Sequence, residues 1–219
     1  MTTALLQTTY FGPIQWYQKL YRYDHCLIEQ YDSYQKQTYR NRCLIATANG
    51  VQALTVPVEH NVQCSMFLAT PHSQRENVQC KDLRISDHNQ WRRVHWNALQ
   101  SAYSESPFFD YYADDIRPFF ERKYDFLIDF NEAIRQKICE LIDIHPHVEY
   151  TSSYTSAISP QPSAIADFRD VIHAKHPQPD ATFEAKRYWQ VFQHKHGFLP
   201  NLSILDLLFC MGPESIFYL

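Results

Sequence analysis

Residues 3–6 open the chain as a short apolar run that continues into polar Gln7-Thr8-Thr9 and then Tyr10-Phe11. Gly12-Pro13 breaks that run, and Pro13 suits the first turn of a helix, where its missing N–H would have no partner anyway. Ile14, Tyr17, Leu20 and Tyr21 then fall at i, i+3, i+6 and i+7, one helical face. Asp24 ends the helix, and residues 25–30 read as a second strand. Strand, helix and strand with so short a crossover predict two parallel strands. Residues 7–11 and 29–34 then lie side by side at the carboxyl ends, the edge where open α/β sheets bind ligands. The helix start at residues 12–14 faces the same edge, and its free N–H groups favour an anion.

Further along, residues 43–46 form a third strand, Asn49-Gly50 is a hairpin signal, and residues 51–58 return as a fourth. Pro57 places the end of that strand at an edge. Residues 83–85 look like a short strand. Ser86 or Asp87 is expected to cap a helix over residues 88–103, with Trp91, Val94, His95, Ala98, Leu99 and Ala102 on one face. Residues 107–120 are strongly aromatic, and Pro118 should kink or end any helix there. The most regular apolar stripe predicts a helix over residues 124–144, followed by a strand over 148–154. Residues 155–182 are rich in Ser, Pro, His and Asp without periodicity, which predicts a mobile loop or lid. A helix is expected over 187–193, stopped by Gly197, and Ser203 should cap a last helix over 204–210. The expected fold is α/β: one mixed domain over residues 1–219, with a strand–helix–strand sheet layer in 1–58, a helical second half, and an aromatic interface between them.

The loop at residues 31–42, YDSYQKQTYRNR, holds almost nothing to bury and lies between two strand-like runs. Planar hydrogen-bonding groups concentrated on a loop between rigid elements are what a ligand-binding loop needs. The expected ligand contacts are Gln7, Tyr10, Gln15, Tyr34, Lys36, Tyr39, Asn41 and Arg42, with Lys36 and Arg42 supplying positive charge.

Composition narrows the chemistry. With 45% apolar residues the chain has ample material for a core, and a net charge of −4 argues against a nucleic-acid polymer bound by bulk charge. No apolar run is long enough for a membrane span, and the first twelve residues lack the basic and apolar regions of a signal peptide. Six scattered cysteines without a CxxC pair fit a reduced, cytoplasmic protein. With four glycines, no Gly-rich phosphate loop is present. His95 is a candidate general base, or a satisfied core histidine. Asp125 and Asp129 form a candidate carboxylate pair one turn apart, unless one of them pairs with Arg122. His145-Pro146-His147 and His194-Lys195-His196 lack a third ligand at zinc spacing and read as surface histidines, so no metal is expected. Cys43 follows Arg42, but within an apolar strand it is expected to be inert.

Tyr10-Phe11-Gly12-Pro13-Ile14-Gln15, residues 34–42 (YQKQTYRNR) and Leu54-Thr55-Val56-Pro57-Val58 resemble the WbqC-like family. Residues 91–101, 106–120 and 196–206 carry the same resemblance, which covers most of the chain outside 155–182. It implies an association with the machinery of surface polysaccharides such as O-antigen, and transfer of an aminoacyl group such as glycine, or another acyl group, onto a sugar. The donor would be a sugar nucleotide or another activated small molecule, and polysaccharide-biosynthesis proteins are the implied partners. Many relatives carry asparagine where this chain has Cys43, which argues further against a cysteine nucleophile. They carry aspartate near Glu29-Gln30, so a strict carboxylate role for Glu29 does not follow. The alternative is a non-catalytic carbohydrate- or partner-binding protein of the same machinery, which would expose the aromatic run over 108–120. Burial of Phe108, Phe109, Phe119 and Phe120 would favour the enzyme.

Overall fold

The computed structural model describes residues 2–59, 78–155 and 165–219. Strand β1 (Thr3–Gln7) leads through a buried turn into α1 (Ile14–Arg22), and β2 (His25–Glu29) returns parallel to β1 with Gln7 opposite Glu29. The turn is tight. Phe11 adopts a φ of 40°, and a Cβ on Gly12 would meet Thr9 Oγ1 at 2.5 Å, so only glycine fits. Phe11 is held in this sparsely populated conformation by complete burial, 6.0 Å between ring centroids from both Phe119 and Phe120.

Next come β3 (Arg42–Thr47) and β4 (Gly50–Thr55), an antiparallel hairpin turning at Ala48-Asn49. Gly50 takes the positive φ of 105° that the turn requires. After Pro57, β5 (Val58–Glu59) pairs antiparallel with β6 (Arg84–Ile85). Helices α2 (Trp91–Tyr103), α3 (Phe109–Ile116), α4 (Pro118–Glu121) and α5 (Leu127–Leu141) follow, then strands β7 (Val148–Tyr150) and β8 (Ile165–Asp167). Short α6 (Gln193–His196) and buried α7 (Ile204–Met211) complete the helices, and a 3-10 segment, Gly212–Tyr218, ends the chain.

The fold is mixed α/β, as expected, but its main sheet is not confined to the first 58 residues. Four parallel strands run in the order β7–β2–β1–β8, so both edges come from the second half of the chain. The β3–β4 hairpin is a separate two-stranded sheet. A parallel pair needs a crossover, usually a helix, and residues 30–41 between β2 and β3 form none. The edge places therefore fall to distant strands.

Several element boundaries differ from expectation. The helix expected from residue 88 begins at Trp91, because Asn89 and Gln90 are left-handed (φ 61° and 49°). Neither Ser86 nor Asp87 caps it; Asp87 pairs with Arg92 and Lys123 instead. Residues 187–192 are not a helix; the helical turn there is α6, which starts at Gln193 and is ended by Gly197. The preceding stretch runs irregularly into the core, where Tyr188 Oη donates to Asp206 at 2.6 Å and Gln190 Nε2 donates at 2.9 Å. Tyr103 Oη donates to the same buried carboxylate at 2.8 Å. Ser203 does cap α7: its hydroxyl accepts the Leu205 N–H and donates to the Phe11 carbonyl.

Part of the predicted lid, residues 156–164, lies outside the described residues. The remainder is built into the structure. Ile165–Asp167 is the sheet edge, Gln7 Nε2 donates to the Ile172 carbonyl at 2.5 Å, and Lys19 Nζ pairs with Asp180 at 2.6 Å. The aromatic interface is buried as expected: Tyr10 stacks on Phe130 at 5.7 Å, and Phe109 meets Phe209 at 5.1 Å. Phe109, Phe119 and Phe120 are buried, with Phe108 partly buried against them. Among the described residues no helix is long and apolar enough to cross a membrane.

Candidate functional site

Parallel strands deliver their carboxyl ends to one edge, and here Gln7, Glu29, Tyr150 and Asp167 arrive together. The groups that follow them are polar and buried. Glu29 is fully buried, and its carboxylate accepts the Tyr31 N–H at 2.8 Å, the Thr151 hydroxyl at 2.9 Å and the Thr155 N–H at 2.8 Å. Arg169 lies 3.4 Å from it and forks onto Asp167 with Nη2 at 2.6 Å. Beside them Arg40 pairs with Asp32, two buried groups on the loop after β2. Asn131, on the inner face of α5, donates from Nδ2 to the Arg40 carbonyl at 2.8 Å and to Thr8 Oγ1 at 3.1 Å.

In the ion pairs of this edge, three carboxylates (Glu29, Asp32, Asp167) face two guanidiniums (Arg40, Arg169), a formal excess of one negative charge. That inverts the anion site expected at the start of α1. The helix N–H groups there are already used: Ile14 N–H donates to the Leu202 carbonyl at 3.0 Å and Gln15 N–H to Asn201 Oδ1 at 2.9 Å. Residues 201–203 cap α1, so no phosphate is held by those amides.

A small cavity of about 10 Å³ opens among Thr8, Thr9, Trp16, Ile28, Asn131, Glu132, Arg135 and Tyr150. Thr9 Oγ1 and Asn131 Oδ1 are buried with no hydrogen-bond partner among the described residues. Native proteins rarely leave such groups unpaired, because each costs about 1–3 kcal/mol in desolvation. Glu132 borders the cavity. Burial acts to raise its pKa, but Arg135 (Nη2 to Oε1, 2.5 Å) and Tyr150 (Oη to Oε2, 2.7 Å) outweigh burial and hold the carboxylate ionised.

The sequence-derived candidates separate in space. Gln7 lies at the carboxyl edge, its Oε1 also unpartnered among the described residues. Tyr10 and Tyr39 are core residues: Tyr10 N–H donates to the Tyr39 carbonyl at 2.9 Å. Gln15 is bonded to Asp180 at 2.8 Å and to Asn201 at 2.9 Å. Asn41 Nδ2 donates to the Val56 carbonyl at 2.8 Å, and Arg42 Nε donates across the hairpin to Thr55 Oγ1 at 3.0 Å. Tyr34 is half-buried and Lys36 exposed. His95 is buried, with Nδ1 at 2.9 Å from Tyr10 Oη and its ring also bonded to the Thr55 carbonyl. Both nitrogens are thus engaged, and burial pushes its pKa down to about 4. Asp125 and Asp129 are exposed at the start of α5, whereas the His95 imidazole is buried. Burial raises the pKa of all five described cysteines, Cys43 included, which leaves them as neutral thiols.

Thr8, Thr9, Asp32, Asn131, Glu132, Asp167 and Arg169 belong to the site without being marked as candidates by the sequence. Arg169 and Asp167 sat in the predicted lid, and nothing local marks them. Thr8 and Thr9 read from the sequence only as the polar end of the first strand. Asn131 did leave a signal: it is a polar residue on the apolar stripe, four after Leu127 and three before Ile134.

Among proteins of known sequence, the chain is 26% identical over 235 residues to Uncharacterized protein Rv1507c of Mycobacterium tuberculosis, covering 99% of this chain and 96% of that one. No solved structure matches it. The WbqC-like protein family matches residues 7–218, nearly the whole length. This chain is a member of the WbqC-like protein family.

Proposed function

We propose that the chain is a transferase of surface-polysaccharide biosynthesis, moving an aminoacyl or other acyl group from an activated donor to a sugar or sugar nucleotide. Its site is the carboxyl edge of the parallel sheet. The observation that carries this proposal is a pair of buried, unpartnered oxygens, Thr9 Oγ1 and Asn131 Oδ1, on two residues that line a cavity sized for a single polar group beside an ionised Glu132. Two acceptors next to a carboxylate suit the ammonium or hydroxyl of a substrate, and the negative balance of the edge favours an amine.

In this arrangement the substrate's amine or hydroxyl enters between Thr9 and Asn131, and the rest of the molecule lies along the strand ends toward Gln7. Attack on the donor's acyl carbon forms the new C–N or C–O bond. The donor's leaving group departs with its bonding electrons, and the nucleophile's proton passes to a carboxylate. Asp129 is the candidate for that proton: it is exposed, has no side-chain hydrogen-bond partner among the described residues, and lies one turn before Glu132 on the same helix. Asp125 stands just outside the helix and His95 is sealed in the core. Lys36, Tyr34 and Arg42 border the loop that follows β2 and are the proposed contacts for the donor.

Burial of Phe109, Phe119 and Phe120 favours an enzyme over a partner-binding module built on an exposed aromatic strip. The test is a thermal-shift screen with nucleoside diphosphate sugars, amino sugars, glycine, ATP and coenzyme A. A ligand at about 100 times its Kd adds about 2.7 kcal/mol, which is a Tm rise of about 6 °C for a chain this long. A hit abolished by Asn131→Leu supports the proposal. A hit that persists in Asn131→Leu places the site elsewhere, and no hit across amines, sugars and activated donors refutes the proposed substrate class.

A further inference from the structure

The opposite, amino-terminal edge of the same sheet carries a second cluster. His25 is the first residue of β2, His147 immediately precedes β7, and Glu149 is the second residue of β7. Because Cys26 lies opposite Val148, His25 and His147 are cross-strand neighbours, and Glu149 follows two residues later on the same face. The two imidazole centroids are 4.6 Å apart. Glu149 lies between the rings: its Oε2 is 3.5 Å from His25 Nε2 and its Oε1 is 3.5 Å from His147 Nε2. One ligand atom from each of the three residues falls within 4.8 Å of the others. His25 Nε2 is shielded from solvent and makes no hydrogen bond among the described residues.

We infer that His25, His147 and Glu149 bind a divalent transition-metal ion of the zinc class at this edge. Tetrahedral zinc with bonds of about 2.1 Å sets its donors about 3.4 Å apart, and each imidazole Nε2 already lies 3.5 Å from one Glu149 oxygen, His25 from Oε2 and His147 from Oε1. With one donor atom from each residue the set spans at most 4.8 Å, and it closes to that spacing by rotation of the exposed His147 and Glu149 side chains. Two imidazoles and one carboxylate suit zinc, cobalt or nickel rather than magnesium or calcium, which prefer all-oxygen shells. The fourth position is left to water.

The metal also has mechanical work to do. Strand β7 is three residues long and, among the described residues, lies at the sheet edge and pairs with β2 alone. A metal bridging His25 of β2 to His147 and Glu149 clips its amino end. Its other end presents Tyr150 to the small cavity and Thr151 to Glu29. The ion would therefore fix the strand that helps shape the carboxyl-edge site, without touching that site. Sequence spacing missed this cluster because His147 works with Glu149 two residues on rather than with His145, and the remaining ligand, His25, is brought in only by the pairing of two parallel strands.

The test uses the full chain, stripped of metal with a chelator and freed of any affinity tag. Titration with Co²⁺, followed by its visible d–d absorption, should saturate at one ion per chain, and Zn²⁺ should displace it. Zn²⁺ at about 100 times its Kd should raise Tm by about 6 °C, and Mg²⁺ should not. His147→Ala and Glu149→Gln should each weaken Co²⁺ at least about a hundredfold, more than loss of an outer-sphere partner costs. Both side chains are exposed, so the metal-free Tm of each variant should match that of the parent. Absence of saturable Co²⁺ uptake overturns the inference, as does uptake of undiminished affinity in both variants.

Discussion

Lys19 offers a sharp test of how the segment after β8 is held. Its side chain is 1% exposed, and its ammonium lies 2.6 Å from Asp180, 2.5 Å from Thr182 Oγ1 and 4.5 Å from the centre of the Phe168 ring. Asp180 is the counter-ion to Lys19 among the described residues and also accepts from Gln15 and Thr182. Asp180→Asn keeps the shape and leaves a buried, uncompensated cation, which should cost about 3–5 kcal/mol. At about 2.1 cal/mol/K per residue, that is a fall in Tm of about 7–11 °C. Lys19→Met should cost less, because Thr182 and Gln15 still satisfy the carboxylate. The two changes together should be milder than their sum by about 2 kcal/mol, read from urea denaturation of the four proteins at neutral pH. Acid provides a second check. Burial works to raise the Asp180 pKa, but Lys19, Thr182 and Gln15 together hold it at about 2, below the ordinary carboxylate value. Its contribution is therefore present above about pH 4 and lost as pH falls toward 2. An Asp180→Asn cost under about 1 kcal/mol, or strict additivity in the cycle, would refute the idea that this pair pins the segment after β8 to α1.

The buried imidazole of His95, with its pKa pushed down to about 4, should make the fold lose stability as pH falls from about 6.5 to 4, where the unfolded chain binds a proton that the folded one refuses. The loss should reach about 3 kcal/mol at pH 4, and His95→Gln should flatten that part of the curve; an unchanged slope would show that the ring is not sealed from protons. Thr9→Val removes an unpartnered hydroxyl at nearly constant volume, so stability should stay within about 1 kcal/mol of the parent while ligand binding at the carboxyl edge falls. Equilibrium unfolding and the ligand screen separate the two effects. Gly212→Ala should destabilise by about 2 kcal/mol or more in thermal melts, since Gly212 has a φ of 55° and a Cβ there would lie 2.5 Å from the Phe108 ring. Cys43→Ser should leave any activity measured by product formation unchanged, because the thiol is buried and neutral; loss of activity in a folded variant would reopen nucleophilic catalysis.

The local code of this chain was readable where it is short-ranged. The apolar spacing of Ile14, Tyr17 and Leu20, the Gly12-Pro13 break before them and the apolar run after Asp24 determine a strand, a helix and a parallel strand, each with its own start and stop signal. Asn49-Gly50 determines the hairpin turn and Ser203 the start of the last helix, because both act through backbone groups within a few residues. The placement of Gln7 and Glu29 at one edge follows from that same unit. What lies beyond it was decided by tertiary structure alone. Parallel strands exchange hydrogen bonds with segments far off in sequence, so β7 and β8 took the sheet edges without any local mark to announce it, bringing Arg169 to Glu29 and His147 to His25. Residues 201–203 capped α1 from nearly two hundred positions away and closed the anion site that its free N–H groups had suggested. Burial, too, belongs to the fold: the same histidine that a helix face offers as a base becomes, once Tyr10 and Thr55 take its two nitrogens, a neutral piece of the core.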